Sequence, residues 1–110
     1  MYELKASYGD GYRDGRAFAE HHFNLWQDRE GPPFPWPRGS SDIGEFIEDC
    51  LPRMHMVLQR KLASDALAAG ISLNDLAIPR DFIRGVEEGY RTRLTELLRG
   101  FIQRRSMFRY

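Results

Sequence analysis

The sequence is poor in the features that mark several specialised classes of protein. Its single cysteine, Cys50, has no partner for an internal disulfide, which fits a reducing compartment. No apolar run has the length that a membrane span needs, and the first residues lack the basic segment and apolar stretch of a secretory signal. We therefore expect a cytoplasmic protein that has neither a disulfide scaffold nor a membrane partner.

Residues suited to catalysis or metal binding are equally scarce. The nitrogen and sulfur ligands on offer are His21, His22, Cys50 and His55. No Cys-x-x-Cys or His-x-x-x-His pair exists among them to start a metal site. The glycines at 9, 11 and 15 miss the spacing of a dinucleotide-binding loop. We therefore predict that the protein is not an enzyme and needs no metal or cofactor, with its histidines and cysteine in the core or facing solvent.

What the chain does have is the composition of an ordinary globular domain. Its 110 residues are 42% hydrophobic and 29% charged, and its net charge is zero. A chain of this length suits one hydrophobic core. We therefore predict a single domain over residues 1–110, with an N-terminal arm at 1–8 and a C-terminal tail at 106–110.

The last long periodic stretch of the sequence runs from residue 79 to residue 105. Pro79 suits the first position of a helix, and Arg104 and Arg105 supply the cations that a helix C-terminus prefers. Apolar residues recur at helical spacing at Ile83, Val86, Tyr90, Leu94, Leu97, Leu98 and Phe101. This pattern predicts a long C-terminal helix, whose apolar stripe is either covered within the chain or left for a second copy in a homo-oligomer.

Two further helices are predicted before this one, at about 10–28 and 42–69. The first begins near Asp10 or about one turn later, depending on whether the glycines around it form a turn. The second has Asp42 as its N-cap, with Glu45 reaching back to it in the pattern of a capping box. No segment has the length and alternation of a strand.

The end of the second helix carries clear local signals. Its apolar register continues through Pro52, which predicts a kinked helix or two abutting helices. Gly70 suits the C′ position after the helix, with Ile71 as the hydrophobic C″ residue. Ser72 then marks a one-turn helix over residues 73–77 before the long helix begins.

Glycines recur at a four-residue spacing in the first and the last predicted helix. A Gly-Tyr-Arg triplet begins at Gly11 and again at Gly89, and each of these glycines has a companion, Gly15 and Gly85 respectively. Small residues at this spacing let two helix backbones approach closely, as membrane helices show. If the two pairs face each other, the first and last helices lie unusually close together.

Residues 31–39, Gly-Pro-Pro-Phe-Pro-Trp-Pro-Arg-Gly, form a connector that is neither helix nor central strand. Its prolines alternate with Phe34 and Trp36, as in a short polyproline II segment with two aromatic anchors. Two interpretations stay open: the aromatics cover the core, or they form an exposed strip for a partner together with Arg38.

The C-terminal tail offers a second candidate surface for a protein partner. Aromatic, methionine and arginine side chains are enriched at the centres of interfaces. The tail combines these residue types at Met107, Phe108, Arg109 and Tyr110. Folding of this tail back onto the core is the competing interpretation.

Charge is distributed unevenly along the chain. Residues 1–50 carry five basic and ten acidic side chains, whereas residues 80–110 carry eight basic and four acidic ones. The two regions attract one another either within the fold or head-to-tail between copies. A basic C-terminal region also suits nucleic acid, which gives the alternative function.

The alternative is a helix-turn-helix-like DNA-binding protein that uses residues 62–84. A helix-turn-helix needs a small residue, a turn glycine and two apolar core residues, and the sequence has Ala66, Gly70, Ile71 and Leu76 at the corresponding positions. The residues that would contact DNA are Arg80, Arg84 and Arg91. Pro79 interrupts the recognition helix, so the same residues are explained equally well by a glycine-terminated helix and a connector.

Together these patterns predict an all-α fold, a small bundle of three main helices with a Pro-rich connector and a short helical turn before the long C-terminal helix. The predicted core is Phe18, Phe23, Trp26, Phe46, Ile47, Leu51, Met54, Leu58, Leu62, Ile83, Val86, Tyr90, Leu94, Leu97 and Phe101. The predicted function is a non-enzymatic protein–protein interaction protein, an adaptor or an inhibitor of a larger protein. Phage-encoded antagonists of host systems share this size and composition.

Overall fold

Three α-helices dominate residues 2–28 and 31–107, the part of the chain that the computed structural model describes, with side chains described to residue 105. The elements in chain order are β1 (Tyr2–Glu3), α1 (Tyr8–Asp28), α2 (Ser40–Ala68), β2 (Leu76–Ala77) and α3 (Arg80–Met107). The predicted all-α fold with three main helices is confirmed.

The N-terminal arm contains a short strand, contrary to the prediction. β1 pairs in parallel with β2, with Tyr2 opposite Leu76. The Leu4 amide then donates to the Ala77 carbonyl at 2.9 Å. A ladder of two residues on each side is too short to show the alternation that identifies a strand in sequence, so the prediction that the chain has no strand is wrong here.

α1 begins at Tyr8, earlier than predicted, because Ser7 and Asp10 form a capping box. The Ser7 amide donates to the Asp10 carboxylate at 2.8 Å, and the Asp10 amide donates to the Ser7 hydroxyl at 3.2 Å. The hydrogen bonds from Ser7 also hold the pKa of Asp10 below its ordinary value. The glycines that follow therefore lie inside the helix and do not form a turn.

The start of α2 also differs from the prediction. The helix begins at Ser40, after Gly39, whose extended backbone precedes it with no side-chain cap. The predicted capping box of Asp42 and Glu45 is wrong, because Asp42 lies in the first turn and its amide donates to the Gly39 carbonyl at 3.1 Å. Further on, α2 passes through Pro52 as one helix, so the alternative of two abutting helices is not formed.

The end of α2 confirms the predicted glycine cap. Gly70 has a φ of 77°, the left-handed region that glycine enters without a Cβ clash. The Ile71 amide donates to the Ala66 carbonyl at 2.9 Å, and the Gly70 amide donates to the Leu67 carbonyl at 3.0 Å. This pair of hydrogen bonds is a Schellman motif, with Gly70 at C′ and Ile71 at C″.

Less of the segment between α2 and α3 is helical than predicted. The Asn74 amide donates to the Ser72 hydroxyl at 3.3 Å, and a 3-10 turn follows at Leu73–Asp75. Residues 76 and 77 then form β2 and do not continue the turn, because they pair with the N-terminal arm. α3 begins at Arg80, one residue after the predicted first position at Pro79.

The helices form an up-down-up bundle with principal dimensions of 59 × 26 × 18 Å. α2 is antiparallel to α3. Glu48 pairs with Arg91 at 3.0 Å, whereas His55, further along α2, pairs with Glu87, which is earlier in α3. α1 is parallel to α3, since successive residues of one meet successive residues of the other. The sequence leaves this topology undecided between an orthogonal and an up-down bundle.

α1 and α3 meet backbone to backbone along a contact that we call the glycine seam, formed by Gly11, Gly15, Gly85 and Gly89. A Cβ atom at Gly11 would overlap the Phe82 carbonyl. One at Gly15 would overlap the Val86 carbonyl and lie 2.8 Å from the Tyr90 nitrogen. Only glycine therefore fits at these positions of α1.

The glycines of α3 make the same kind of contact with the backbone of α1. A Cβ atom at Gly85 would overlap the Tyr8 carbonyl, and one at Gly89 would overlap the Tyr12 carbonyl. Each glycine thus directs an Hα atom at a carbonyl oxygen of the other helix, the arrangement of a Cα–H···O contact. The prediction that the two glycine pairs face each other is confirmed.

The hydrophobic core lies between α2 and the α1–α3 pair. Most predicted core residues are buried, but five pack against the core while only partly buried: Phe18, Leu51, Ile83, Leu97 and Phe101. Buried residues that the prediction omits are Ala19, His22, Ile43, Cys50, Ala66, Phe82 and Leu98. The apolar face of α3 is covered within the chain from Phe82 to Leu98, where Val86, Tyr90, Leu94 and these two residues are at most 3% exposed, whereas Phe101 and Ile102 beyond them are partly buried.

The acidic and basic regions of the sequence attract one another within the fold. Arg93 of α3 donates to Glu20 of α1 at 2.8 Å and to Glu96 at 3.0 Å. Arg16 of α1 donates to Glu96 at 3.1 Å, and these hydrogen bonds, from Arg16 first and then Arg93, lower the pKa of Glu96. This network and the Glu48–Arg91 pair link both acidic helices to α3.

We expect Gly15→Ala to destabilise the domain by about 1–3 kcal/mol, because the added methyl group forces α1 and α3 apart. Gly44→Ala is the matched control, since it lies inside α2 with nothing within 4 Å of its Cβ position. That substitution should stabilise the domain by about 0.5–1 kcal/mol through helix propensity. Urea unfolding measures both. A Gly15→Ala protein as stable as wild type would contradict the seam.

Candidate functional site

The connector packs its aromatic side chains against one end of the bundle. The Trp36 ring lies with its centre 4.4 Å from that of Phe101 and 5.9 Å from that of Phe23. It also stacks on Phe46 at 6.4 Å, with 14° between the ring planes, and meets Trp26 at 6.5 Å. Trp36 is partly buried, so the interpretation of the connector as a cover over the core holds for this ring.

Phe34 lies next to Trp36 and is also partly buried. Its ring meets the edge of Phe46 at 6.2 Å, and the Arg53 guanidinium lies 5.9 Å from its centre. Pro37 of the connector is also buried. Prolines restrict the connector backbone, so the two aromatic rings are held in place at a small cost in conformational entropy.

Besides packing on the core, the same segment forms one side of an open cleft. We call it the connector cleft; its volume is about 260 Å³. It is lined by Phe34, Pro35, Trp36, Pro37, Arg38, Asp42, Glu45, Phe46 and Asp49. The aromatic residues therefore form a floor that is shared with the core, while the first three turns of α2 supply an acidic wall.

That wall is acidic. Asp42, Glu45 and Asp49 follow one another at the three- and four-residue spacing that places side chains on one face of a helix. All three are exposed, and none pairs with a cation among residues 2–28 and 31–105. Arg38, also exposed, lines the same cleft. Three carboxylates and one guanidinium give the cleft a formal charge of −2.

The sequence indicates the connector but not this wall. Phe34, Trp36 and Arg38 all line the cleft, and their role in binding a partner stays a prediction. Asp42 and Glu45 are predicted as a capping pair, so their side chains are assigned to the backbone of α2. The signal that identifies them is the i, i+3, i+7 spacing of acids directly after the connector.

The predicted C-terminal surface lies outside the described residues. Met107 is the last residue of α3, but its side chain is not described, and neither are Phe108, Arg109 and Tyr110. Residues 99–105 bring three arginines to the end of α3, and the Arg105 guanidinium lies 5.6 Å from the centre of the Phe101 ring. The tail therefore stays a prediction.

The residues of the DNA-binding alternative are not arranged as a helix-turn-helix. The segment that would have to begin the recognition helix, residues 72–78, forms a 3-10 turn and β2. Arg84 pairs with Asp81 at 3.4 Å, and Arg91 pairs with Glu48. Arg80 is exposed at the start of α3. The geometry gives that alternative no support.

The buried polar groups His22, Tyr90 and Cys50 belong to the core and do not line the cleft. The Nδ1 atom of His22 lies 2.8 Å from the Tyr90 hydroxyl, and its ring stacks on Trp26 with centres 5.5 Å apart. Burial lowers the pKa of His22 to about 4 and raises the pKa of Tyr90. Burial also raises the pKa of the Cys50 thiol to about 12, so this thiol stays protonated.

Within the described residues, no helix is long and apolar enough to cross a membrane. Over the same residues, no group of three or more His, Cys, Asp or Glu side chains is arranged to hold a metal ion. Comparison of the chain with protein-family models, with curated proteins and with solved structures finds no match. The candidate site therefore rests on the geometry of the connector cleft.

We expect Trp36→Ala to destabilise the protein by about 2–4 kcal/mol, because it removes a ring that packs on four other aromatic rings. Leu67→Ala, at a residue that is 79% exposed, is the control and should change the free energy of unfolding by less than about 0.5 kcal/mol. Chemical unfolding, monitored by the circular dichroism of the helical backbone rather than by tryptophan fluorescence, measures both. Equal stability of the two variants would show that Trp36 does not cover the core.

We expect acid to destabilise the protein through His22. Its pKa is about 4 when folded and near 6.5 when unfolded, so between these values only the unfolded chain takes up this proton. Above pH 6.5 His22 is uncharged in both states and does not lower the free energy of unfolding. As the pH drops to 4, its protonation in the unfolded chain lowers the free energy of unfolding by about 3 kcal/mol. The free energy of unfolding is measured for wild type and for His22→Gln across this range. Because both proteins carry the same carboxylates, the difference between their pH dependences is due to His22.

The wild-type loss of stability should exceed that of the His22→Gln variant between pH 6.5 and 4, and the two should run in parallel above pH 6.5. Identical pH dependence of the two proteins would contradict the burial of an uncharged His22.

Proposed function

We propose that this protein is a small protein–protein interaction protein, an adaptor or an inhibitor that acts on a larger protein by surface contact through the connector cleft. The observation that carries the proposal is the combination of rigid aromatic residues with an exposed charged wall in one concave surface. Rigid aromatic side chains supply contact area at little entropic cost, and they are the residues on which binding energy concentrates.

Two features of the rest of the bundle support this choice of surface. The apolar face of α3 is covered within the chain between Phe82 and Leu98, so that stretch offers little area to a partner. The charged residues elsewhere on the α1–α3 face pair with one another, as in the network of Arg16, Glu20, Arg93 and Glu96. The carboxylates of the cleft, by contrast, are exposed and can pair with a group on a partner protein.

Because Trp36 also packs on the core, its truncation does not separate binding from folding, and the test uses exposed positions instead. A photo-crosslinking benzophenone amino acid replaces Arg38 at the rim of the cleft in one protein. The matched control carries it at Asp65, an exposed residue near the far end of α2. Both proteins are irradiated in lysate of the native host.

We expect one discrete protein adduct from position 38 and none of the same mass from position 65. Adducts that are identical at the two positions, or the absence of any adduct at position 38, would contradict the proposed function. Circular dichroism melting of both proteins confirms beforehand that each is folded.

A further inference from the structure

We propose that the connector cleft binds an arginine-bearing segment of the protein partner, with the guanidinium groups between the aromatic floor and the acidic wall. This inference rests on the proposed function, and it names the chemistry of the partner at the same site. It follows from three properties of the cleft: the sign of its charge, the kind of surface on its floor, and the length of its wall.

The sign of the charge selects a cation. The wall of Asp42, Glu45 and Asp49 outweighs the single charge of Arg38, which leaves a formal charge of −2. A nucleic-acid backbone would meet three carboxylates here and be repelled, and so would an acidic protein surface. A basic segment is complementary, and the wall would also draw it in during diffusional encounter.

The floor selects arginine over lysine. A guanidinium is planar, is more weakly hydrated than an ammonium, stacks on aromatic rings and donates two parallel hydrogen bonds to a carboxylate. The bundle already places guanidinium groups on aromatic rings at this end: Arg53 lies over Phe34 at 5.9 Å and Arg105 over Phe101 at 5.6 Å. The floor therefore offers aromatic rings to the face of the guanidinium, and the wall offers carboxylates to its N–H edge.

The length of the wall sets the size of the segment. Asp42 and Asp49 are seven residues apart on a helix, a rise of about 10 Å, which matches about three residues of an extended peptide. In an extended chain, alternate side chains lie on one side about 6.6 Å apart, close to the rise of about 6 Å between Glu45 and Asp49. The fitting segment therefore has two arginines separated by one residue.

The probe is a fluorescein-labelled peptide Gly-Gly-Arg-Gly-Arg-Gly-Gly, compared with versions that carry lysine or citrulline in place of both arginines. Citrulline keeps the shape of arginine but has no charge. The protein variant is the triple substitution Asp42→Asn, Glu45→Gln and Asp49→Asn. The matched control removes three exposed acids outside the cleft, Glu3→Gln, Asp65→Asn and Asp75→Asn. Both variants change the net charge equally.

Fluorescence anisotropy of the full-length protein is the measurement. We expect the arginine peptide to bind wild type and the control variant equally, and the cleft variant at least about tenfold more weakly. The lysine peptide should bind more weakly than the arginine peptide, and the citrulline peptide should not bind. Binding should also weaken as salt is raised. Equal loss in the cleft and control variants would overturn the inference, because it would reduce the effect to net charge.

Two further outcomes separate this inference from the proposed function. If the partner that crosslinks at position 38 is still captured by the cleft variant, the surface binds protein without arginine recognition, and only the inference falls. If the arginine peptide binds as expected but no protein crosslinks, the proposed function falls, and the assignment of the segment to a protein partner falls with it, while arginine recognition by the cleft stands. Self-association that disappears in the cleft variant would overturn the inference in favour of a second copy, whose own arginines would then occupy the cleft.

Discussion

The contact between the backbones of α1 and α3 is the constraint on which the rest of this structure depends. Four glycines, two on each helix, bring the main chains together so closely that each Hα atom points at a carbonyl of the other helix. Two helices at this distance leave little space for side chains between them. Their larger residues are therefore directed to one side of the pair, where α2 covers them with Ile47, Met54 and Leu58.

The cleft is a consequence of this asymmetric packing. The aromatic residues at the end of the bundle lie beyond the glycine seam, where α1 and α3 carry Phe23 and Phe101 in place of glycine. The connector fills the space above these rings with Trp36, and α2 begins directly afterwards. The same short stretch of chain thus closes the core and brings the first acids of α2 beside the aromatic rings.

The sequence predicts the features that depend on local chemistry. Gly70 and Ile71 identify the end of α2 because a Schellman motif is contained within six residues. The glycine pairs are also visible, since their spacing repeats in both helices. The start of α2 cannot be read from the sequence, because Ser40, Ser41 and Asp42 are all good capping residues. The packing of the connector decides among alternatives of similar energy. The acidic wall and the two-residue ladder depend on contacts between distant segments, which no local pattern reports.

The seam also determines when the domain completes its fold during synthesis. Its two halves are separated by about 70 residues, and α2 emerges from the ribosome between them. Such distant pairing slows folding, since the closure of a long loop precedes any gain from the contact. The glycine face of α1 can therefore be covered by α3 only after the whole of α2 and the first turns of α3 have been synthesised.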